Sequence, residues 1–218
     1  MAKNANNQDD QIKDKLIPHI QNAYAMENQL AETLEKHVDQ TADFPDVQQM
    51  ISNHLEQTKQ HRSRMEERLN FYGERPSGVK DLGSSFMGNM MGAMAGARPD
   101  MLARIARDEY ITEHLEIAGY TLLITTAQAF GDIDTVRAAD QNLRDEIAMQ
   151  SWLLQHMPEV CLRSLEAEGW QVPDNAWQWV QQSMNATTSG SAWGDGQDGS
   201  QYGGRYSTGS TMGSTTTG

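Results

Sequence analysis

The residues of this sequence best suited to chemistry are carboxylates and a histidine placed among apolar side chains at helical spacing. Glu27 lies three residues after Tyr24 and three before Leu30, within an apolar run. At about 100° per residue, this spacing places all three side chains on one face of a helix. A buried carboxylate is costly unless it is paired or bound to a metal ion, so Glu27 is a candidate for one of these roles.

Further carboxylates fall on apolar faces later in the chain. Glu109, Glu113 and Glu116 follow one another at spacings of four and three residues on one apolar stripe. Glu146 lies three residues after Leu143, on the apolar stripe of a later segment. We therefore expect these side chains to point into the same core as Glu27.

The segment HLEQTKQH is predicted to supply a histidine rather than its glutamate. Glu56 lies roughly opposite the apolar residues of this segment and is expected to face solvent, whereas His54, Thr58 and His61 lie on or beside the buried stripe. His61 is predicted to lie at the edge, and whether His61 or Glu109 joins the site is left open. The other four histidines are predicted to lie at the surface or at helix edges: His19, His37, His114 and His156.

This set of side chains is typical of a site for two metal ions. The predicted ligands are Glu27, His54, Glu113, Glu116 and Glu146. All lie near the middle of their segments, and antiparallel helices of similar length bring such positions to a common height. Carboxylates with some imidazole suit iron or manganese, and bundles hold di-iron or di-manganese centres in this way. The alternative is a hydrated interior or a subunit interface, which would require several carboxylates with raised pKa values in one core.

Four amphipathic segments are predicted to position these side chains. They run from about Asp10 to Val38, from Pro45 to Gly73, from Pro99 to Gly131, and from there to a close near Pro158. Pro18 should kink the first segment or mark its true start. Alternating, strand-like patterns are scarce, so the predicted fold class is all-α.

The lengths of the connections predict how the segments are joined. Short links join the first to the second and the third to the fourth, which predicts two antiparallel hairpins. Residues 73–99 form a long crossover between helices 2 and 3, and its four methionines favour a short covering helix over soft-metal binding. The bundle is predicted to span residues 10–185, with extra helical segments over 158–185. Residues 1–9 and the Gly/Ser/Thr-rich residues 186–218 are predicted to be disordered.

The composition narrows the function classes. A formal net charge of -13 would repel nucleic acid and anionic membranes. The single cysteine, Cys161, cannot form an internal disulfide, and we find no signal-peptide core or membrane-spanning run. We therefore expect a soluble, cytoplasmic protein without nucleic-acid or membrane partners.

The quoted motifs resemble the YciE/YciF-type ferritin-like family, a relative of ferritins and rubrerythrins. The resemblance rests on AYAMENQL, HLEQTKQHRSRME, EHLEIAGYTLL and NLRDEIAMQSWLLQHMP, and it covers about residues 10 to 160. It implies a dimer-forming bundle linked to stress responses, with a ferroxidase-like site. Glu113-x-x-Glu116 matches the rubrerythrin pair, but Lys59 and Met149 stand where Glu-x-x-His pairs beginning at Glu56 and Glu146 would require histidine.

The sequence thus favours a di-metal carboxylate protein that reduces oxygen or peroxide with iron. In this hypothesis Glu113 or Glu146 bridges the ions, and Glu27, His54 and Glu116 are terminal ligands. The alternative is a stress-associated structural or interaction bundle without a working metal site. Mineral storage in a cage is less favoured, because a shell would have to accommodate the tail and the extra helices.

Overall fold

The described chain consists of five α-helices in the computed structural model, which describes residues 11–75 and 101–188. A π-helical turn, Ile12–Leu16, precedes the first helix. The helices are α1 (Ile17–Gln40), α2 (Pro45–Phe71), α3 (Met101–Phe130), α4 (Ile133–Ala167) and α5 (Asp174–Thr188). Strands are absent from these two described ranges, which confirms the predicted all-α class. The predicted disordered N-terminus, the methionine-rich part of the crossover and nearly all of the predicted disordered tail lie outside the described residues.

The helices pair as two hairpins. The most extensive helix contacts are those of α1 with α2 and of α3 with α4, and smaller α1–α3 and α2–α4 contacts join the two pairs. Local sequence signals set the helix ends. Pro18 lies in the first turn of α1, Pro45 begins α2, and Gly73 and Gly131 adopt positive φ angles of 72° and 74° just beyond α2 and α3.

The prediction that the fourth helix closes near Pro158 is wrong, because α4 continues to Ala167. Proline removes one backbone hydrogen bond from a helix. Beyond it, however, Val160 and Ser164 are buried. Arg163 also makes a bidentate ion pair with Asp46 at the start of α2, at N–O distances of 2.6 and 2.7 Å. The part of α4 beyond the proline thus packs on the rest of the bundle, which favours its continuation as helix.

The bundle core has a polar layer between two apolar clusters. One cluster includes Ala23 of α1 and Tyr120 of α3, and the other includes Leu30 of α1 and Ala106 of α3. Buried polar side chains from all four long helices fill the height between the clusters. Among the described helices, none contains a stretch long and apolar enough to cross a membrane.

Candidate metal centre

The polar layer brings together all five side chains that the sequence predicts as metal ligands. Each of the four long helices contributes, and none of these side chains is more than 1% exposed. They are Glu27 from α1, His54 from α2, Glu113 and Glu116 from α3, and Glu146 from α4. The amphipathic helices place them there because each residue lies on the apolar stripe that packs into the bundle.

One group of potential ligands contains His54, Glu113, Glu116 and Glu146. One donor atom from each of these residues lies within 4.8 Å of the donor atoms of the other three. The Nε2 atom of His54 is 2.9 Å from Oε1 of Glu113 and 4.0 Å from Oε2 of Glu146. Three carboxylates and one imidazole therefore converge on a volume of the size of one metal ion.

A second group contains Glu27, His61 and Glu146, whose donor atoms also lie within 4.8 Å of one another. The Nδ1 atom of His61 is 2.7 Å from Oε1 of Glu146 and 3.6 Å from Oε1 of Glu27. Glu146 belongs to both groups, and its two oxygens face different histidines. Glu146 could therefore offer one oxygen to each of the two adjacent groups.

Many donor atoms in this layer are buried without a hydrogen-bond partner. They include both carboxylate oxygens of Glu113, Glu116 and Glu146, Oε2 of Glu27, and ring nitrogens of His54 and His61. The close approaches between them, such as that of His54 to Glu113, lack hydrogen-bond geometry. Buried polar atoms nearly always have a partner, and converging lone pairs are satisfied by a cation. The residues of the layer thus fit a metal centre.

The electrostatics of the layer show that it requires positive charge. Burial raises the pKa of Glu27, and burial together with the neighbouring carboxylates raises the pKa of Glu116 well above its usual value. Burial also raises the pKa of Glu113, to about 8, although His54 acts against it. Burial pushes the pKa of Glu146 upward too, but the two histidines beside it outweigh burial, so its net shift is downward. Carboxylates in such a core need protons or a metal ion as partners.

The two histidines respond to the same carboxylates in the opposite sense. Burial alone would lower the pKa of His54, but Glu113 and the other carboxylates raise it to about 9. Burial likewise opposes protonation of His61, while Glu146 and Glu27 raise its pKa to about 10. A bound cation would take the place of the protons on these rings.

His61 is the main residue that the sequence prediction placed differently. It was expected at the edge of the buried stripe, with its part in the site left open; its side chain is fully buried and belongs to the second group. The spacing Thr58-x-x-His61 was the available signal, because it matches Glu-x-x-His with threonine in the first place. The Thr58 hydroxyl is also buried without a partner, one turn from each histidine of α2.

Glu109, the other residue left open, belongs to neither group. Its Oε1 atom lies 2.5 Å from Nδ1 of His37, whose side chain is 12% exposed at the edge of the bundle. Glu109 is nevertheless buried, and its Oε2 atom has no hydrogen-bond partner. It lies one helical turn before Glu113 and marks the boundary between the polar layer and the apolar cluster below it.

A hydrogen-bonded shell surrounds the second group. Tyr120 donates a short hydrogen bond to Oε1 of Glu27, and its hydroxyl accepts a hydrogen bond from Asn142 at 2.8 Å. Arg64 in turn donates to Asn142 at 2.7 Å. Burial and the nearby Glu27 raise the pKa of Tyr120 well above its usual value, so its hydroxyl stays protonated. This network fixes the Glu27 carboxylate from outside the cluster.

Two solved structures share this fold. A protein from Xanthomonas campestris pv. campestris aligns with a TM-score of 0.59 and 24% identity, over 71% of this chain and 96% of its own. A protein named YcfI, from Rhodopseudomonas palustris, is described as a candidate structural protein. It aligns with a TM-score of 0.53 and 29% identity, over 64% of this chain and 90% of its own.

The match to a family model extends over all four long helices. The model described as Domain of unknown function (DUF892) covers residues 11–166, which include every residue of both ligand groups. The chain belongs to this family of the ferritin-like superfamily.

Proposed function

We propose that this protein binds two iron or manganese ions in the polar layer of the bundle. His54, Glu113 and Glu116 would hold one ion, Glu27 and His61 the other, and Glu146 would bridge them. The observation that carries the proposal is the membership of Glu146 in both ligand groups. It favours Glu146 over Glu113 as the bridging residue.

The donor set supports the identity of the metals. Oxygen ligands predominate, and the described part of the chain places no cysteine near the cluster, since Cys161 is exposed. Oxygen with some imidazole suits iron or manganese better than metals that prefer thiolate. The first group offers four donor residues and the second only three. The second position therefore has more room for an external ligand.

We further propose that the centre acts as a ferroxidase or peroxide-consuming site in a stress response. Bound iron(II) would supply the electrons for reduction of oxygen or peroxide. The chain itself would orient the ligands and exclude water from the layer. Tyr120 would hold Glu27 in place while keeping its own proton.

Metal analysis and titration of the purified protein test the metal proposal. We expect two equivalents of iron(II) or manganese(II) per chain, about one in Glu27→Ala, and none bound tightly in Glu146→Ala. Glu56→Ala is the matched control, because this side chain lies on the outer face of α2, 68% exposed. Metal uptake unchanged in the double variant Glu27→Ala with Glu146→Ala would refute the proposal.

The alternative is a structural or interaction bundle without a working metal site. Two replacements in Glu-x-x-His pairs favour it: Thr58 stands where the pair ending at His61 would have glutamate, and Met149 stands where the pair beginning at Glu146 would have histidine. The description of YcfI as a candidate structural protein favours it too. Oxygen consumption with iron(II), measured against the same iron without protein, separates the two functions. A rate at the background of free iron in a correctly folded protein would favour the alternative.

We also propose that the protein is a cytoplasmic homodimer. Large apolar side chains on the outside of the α3–α4 hairpin support a self-association surface: Leu122 is 58% exposed, Ile133 51% and Ile147 45%. Light scattering after size-exclusion chromatography should give twice the chain mass of 24.3 kDa. Ile147→Glu should shift the protein towards monomer. A wild-type mass equal to that of a single chain would contradict dimerisation.

A further inference from the structure

An apolar cavity of about 20 Å³ lies between α2, α3 and α4, next to the candidate metal centre. Its lining includes Ile51, Ala106, Leu153 and Val160, all of them buried. Trp152 is the partly exposed member of the lining, and its ring is held by stacking on His156 at 4.3 Å. This aromatic ring lies on the outer side of the cavity, which is partly open there.

The chemistry of the lining makes this cavity unsuitable for water. A buried water needs two to four polar partners, whereas the carboxylate of Glu109 is the main polar group in the lining. Cavities lined by aliphatic side chains stay dry and take up small apolar molecules such as xenon. A single water requires about 10–15 Å³ by this measure, so a cavity of about 20 Å³ has room for one diatomic molecule.

The cavity shares two of its walls with the metal centre. Met149 lies three residues after Glu146 on α4, and Glu109 lies four residues before Glu113 on α3. Residues three and four apart on a helix are neighbours, with Cβ atoms about 5–6 Å apart. A molecule in the cavity would therefore sit about one helical turn from the ligand groups.

We propose that this cavity binds molecular oxygen and holds it beside the metal centre, an inference that rests on the proposed function. Oxygen is small and apolar, so it gains by leaving water for an aliphatic cavity. Hydrogen peroxide carries two O–H donors and two acceptor oxygens, and it would lose its hydrogen-bond partners there. The cavity thus identifies oxygen, rather than peroxide, as the oxidant that the protein is built to use.

Xenon tests the cavity without any metal. Crystals of the metal-free protein under xenon pressure should show one xenon atom among Ile51, Ala106 and Val160. Ala106→Val should abolish this peak by filling the space. Ala127→Val is the matched control, because Ala127 is also a buried alanine of α3 but lies in the other apolar cluster. Absence of xenon from the wild-type cavity would overturn the inference.

Oxidation of bound iron(II) tests the role in the reaction. When oxygen is the limiting reagent, we expect Ala106→Val to slow the oxidation of iron(II) about tenfold. This is the lower end of the effect of one methylene in an apolar pocket. Oxidation by peroxide should change less than twofold, and Ala127→Val should match the wild type with both oxidants. Equal slowing with both oxidants would overturn the inference.

The outcomes separate this inference from the proposed function. If Ala106→Val does not fold, Val160→Ile fills the same cavity from α4. A protein that loads two metals but takes up no xenon refutes the cavity proposal alone. A protein that takes up xenon but loads no metal refutes the proposed function and, with it, the role in oxidation.

Discussion

At the scale of single residues, His61 faces the ligand cluster with one nitrogen and is fixed by the other. Its Nδ1 atom lies 2.7 Å from Glu146, and its Nε2 atom lies 3.0 Å from Oδ2 of Asp145. A proton on Nε2 donated to Asp145 leaves the lone pair of Nδ1 free for a metal ion. Such carboxylate–histidine pairs set the ring orientation and the basicity of a metal ligand.

Asp145→Ala should weaken metal binding at the second position about 10- to 100-fold, the usual effect of losing the partner of a ligating histidine. The first position should keep its affinity, because His54 does not depend on Asp145. Competition with a fluorescent chelator measures both affinities. Asp140→Ala is the control, since Asp140 is 46% exposed and pairs with Arg144 on the same helix. Equal weakening in both variants would contradict a specific role for Asp145.

The sequence predicted five members of the two groups but placed His61 at the edge. The apolar residues of α2 that fixed its direction, such as Ile51 and Met65, define one stripe, and His61 lies beside it. In the fold, α2 packs against both α1 and α4, so its buried arc is wider than that stripe. The packing of a second neighbour cannot be read from a single helix, and this is why the membership of His61 in the site was left open.

At the scale of the helices, a polar network ties the end of α2 to the turn between α3 and α4. Arg68 donates to both oxygens of Asp132, at 3.0 and 3.2 Å, and the Tyr72 hydroxyl donates to Asp132 at 2.6 Å. Asp132 also caps α4 by accepting the backbone N–H of Thr135. One carboxylate thus begins one helix and holds the end of another.

Asp132→Ala should lower the free energy of unfolding by about 3 kcal/mol. Loss of an N-cap costs about 1 kcal/mol. The mostly buried Arg68 would keep its hydrogen bond to Thr135 but lose its ion-pair partner, which adds part of the cost of a broken buried ion pair. Urea unfolding followed by circular dichroism measures the change. Asp134→Ala is the control in the same helical turn, because its side chain is 69% exposed. A similar loss in both variants would argue against the network.

The pKa values of Asp46 and Asp132 predict how the free energy of unfolding depends on pH. Arg163 lowers the pKa of Asp46 to about 2. Burial alone would raise the pKa of Asp132. Hydrogen bonds from Thr135 and Tyr72 and the charge of Arg68 outweigh burial, so the net shift of this pKa is downward. Groups with lowered pKa values stabilise the fold above their unfolded pKa, near 3.8, and this contribution is lost as pH falls through the folded pKa.

We therefore expect the free energy of unfolding to fall from pH 4 to pH 2. The fall should be shallower in the double variant Asp46→Ala with Asp132→Ala, measured by urea unfolding at each pH. The buried Glu113 and Glu116 cannot produce this slope, because their raised pKa values give stability that is complete below 4.5 and is lost as pH rises. The pKa of Glu146 is lowered, but Glu146 is present in both proteins and does not account for a difference between their slopes. Parallel slopes in the wild type and the double variant would contradict the assignment.

Helix ends show which parts of the fold the sequence alone could predict. Pro45, Gly73 and Gly131 act through their own backbone, so both ends of α2 and the C-terminal end of α3 were predicted correctly. Past Pro158, α4 makes contacts with residues far away in the chain: Val160 is buried in the core, and Arg163 pairs with Asp46, 117 residues away. A contact of that range exists only after the bundle has formed, so the local signal of the proline was misleading.

At the scale of the whole molecule, the bundle encloses a polar layer that lowers the stability of the fold. Two apolar clusters flank the layer and drive folding, whereas the carboxylates of Glu113, Glu116 and Glu146 lose their hydration without gaining hydrogen-bond partners. Replacing buried charges by apolar residues of similar volume is often neutral or stabilising. A cluster kept for metal binding should therefore cost stability when no metal is bound.

Glu116→Leu tests this opposition, because both oxygens of Glu116 are buried without partners and burial raises its pKa well above the usual value. In the presence of a chelator, the variant should be more stable than the wild type by about 1–3 kcal/mol in urea unfolding. With iron(II) or manganese(II) added, the wild type should gain stability and the variant should gain less. Glu67→Leu, on the exposed side of α2, should change neither quantity. A hydrated structural core would behave differently, because the leucine would then lower stability whether or not metal was present.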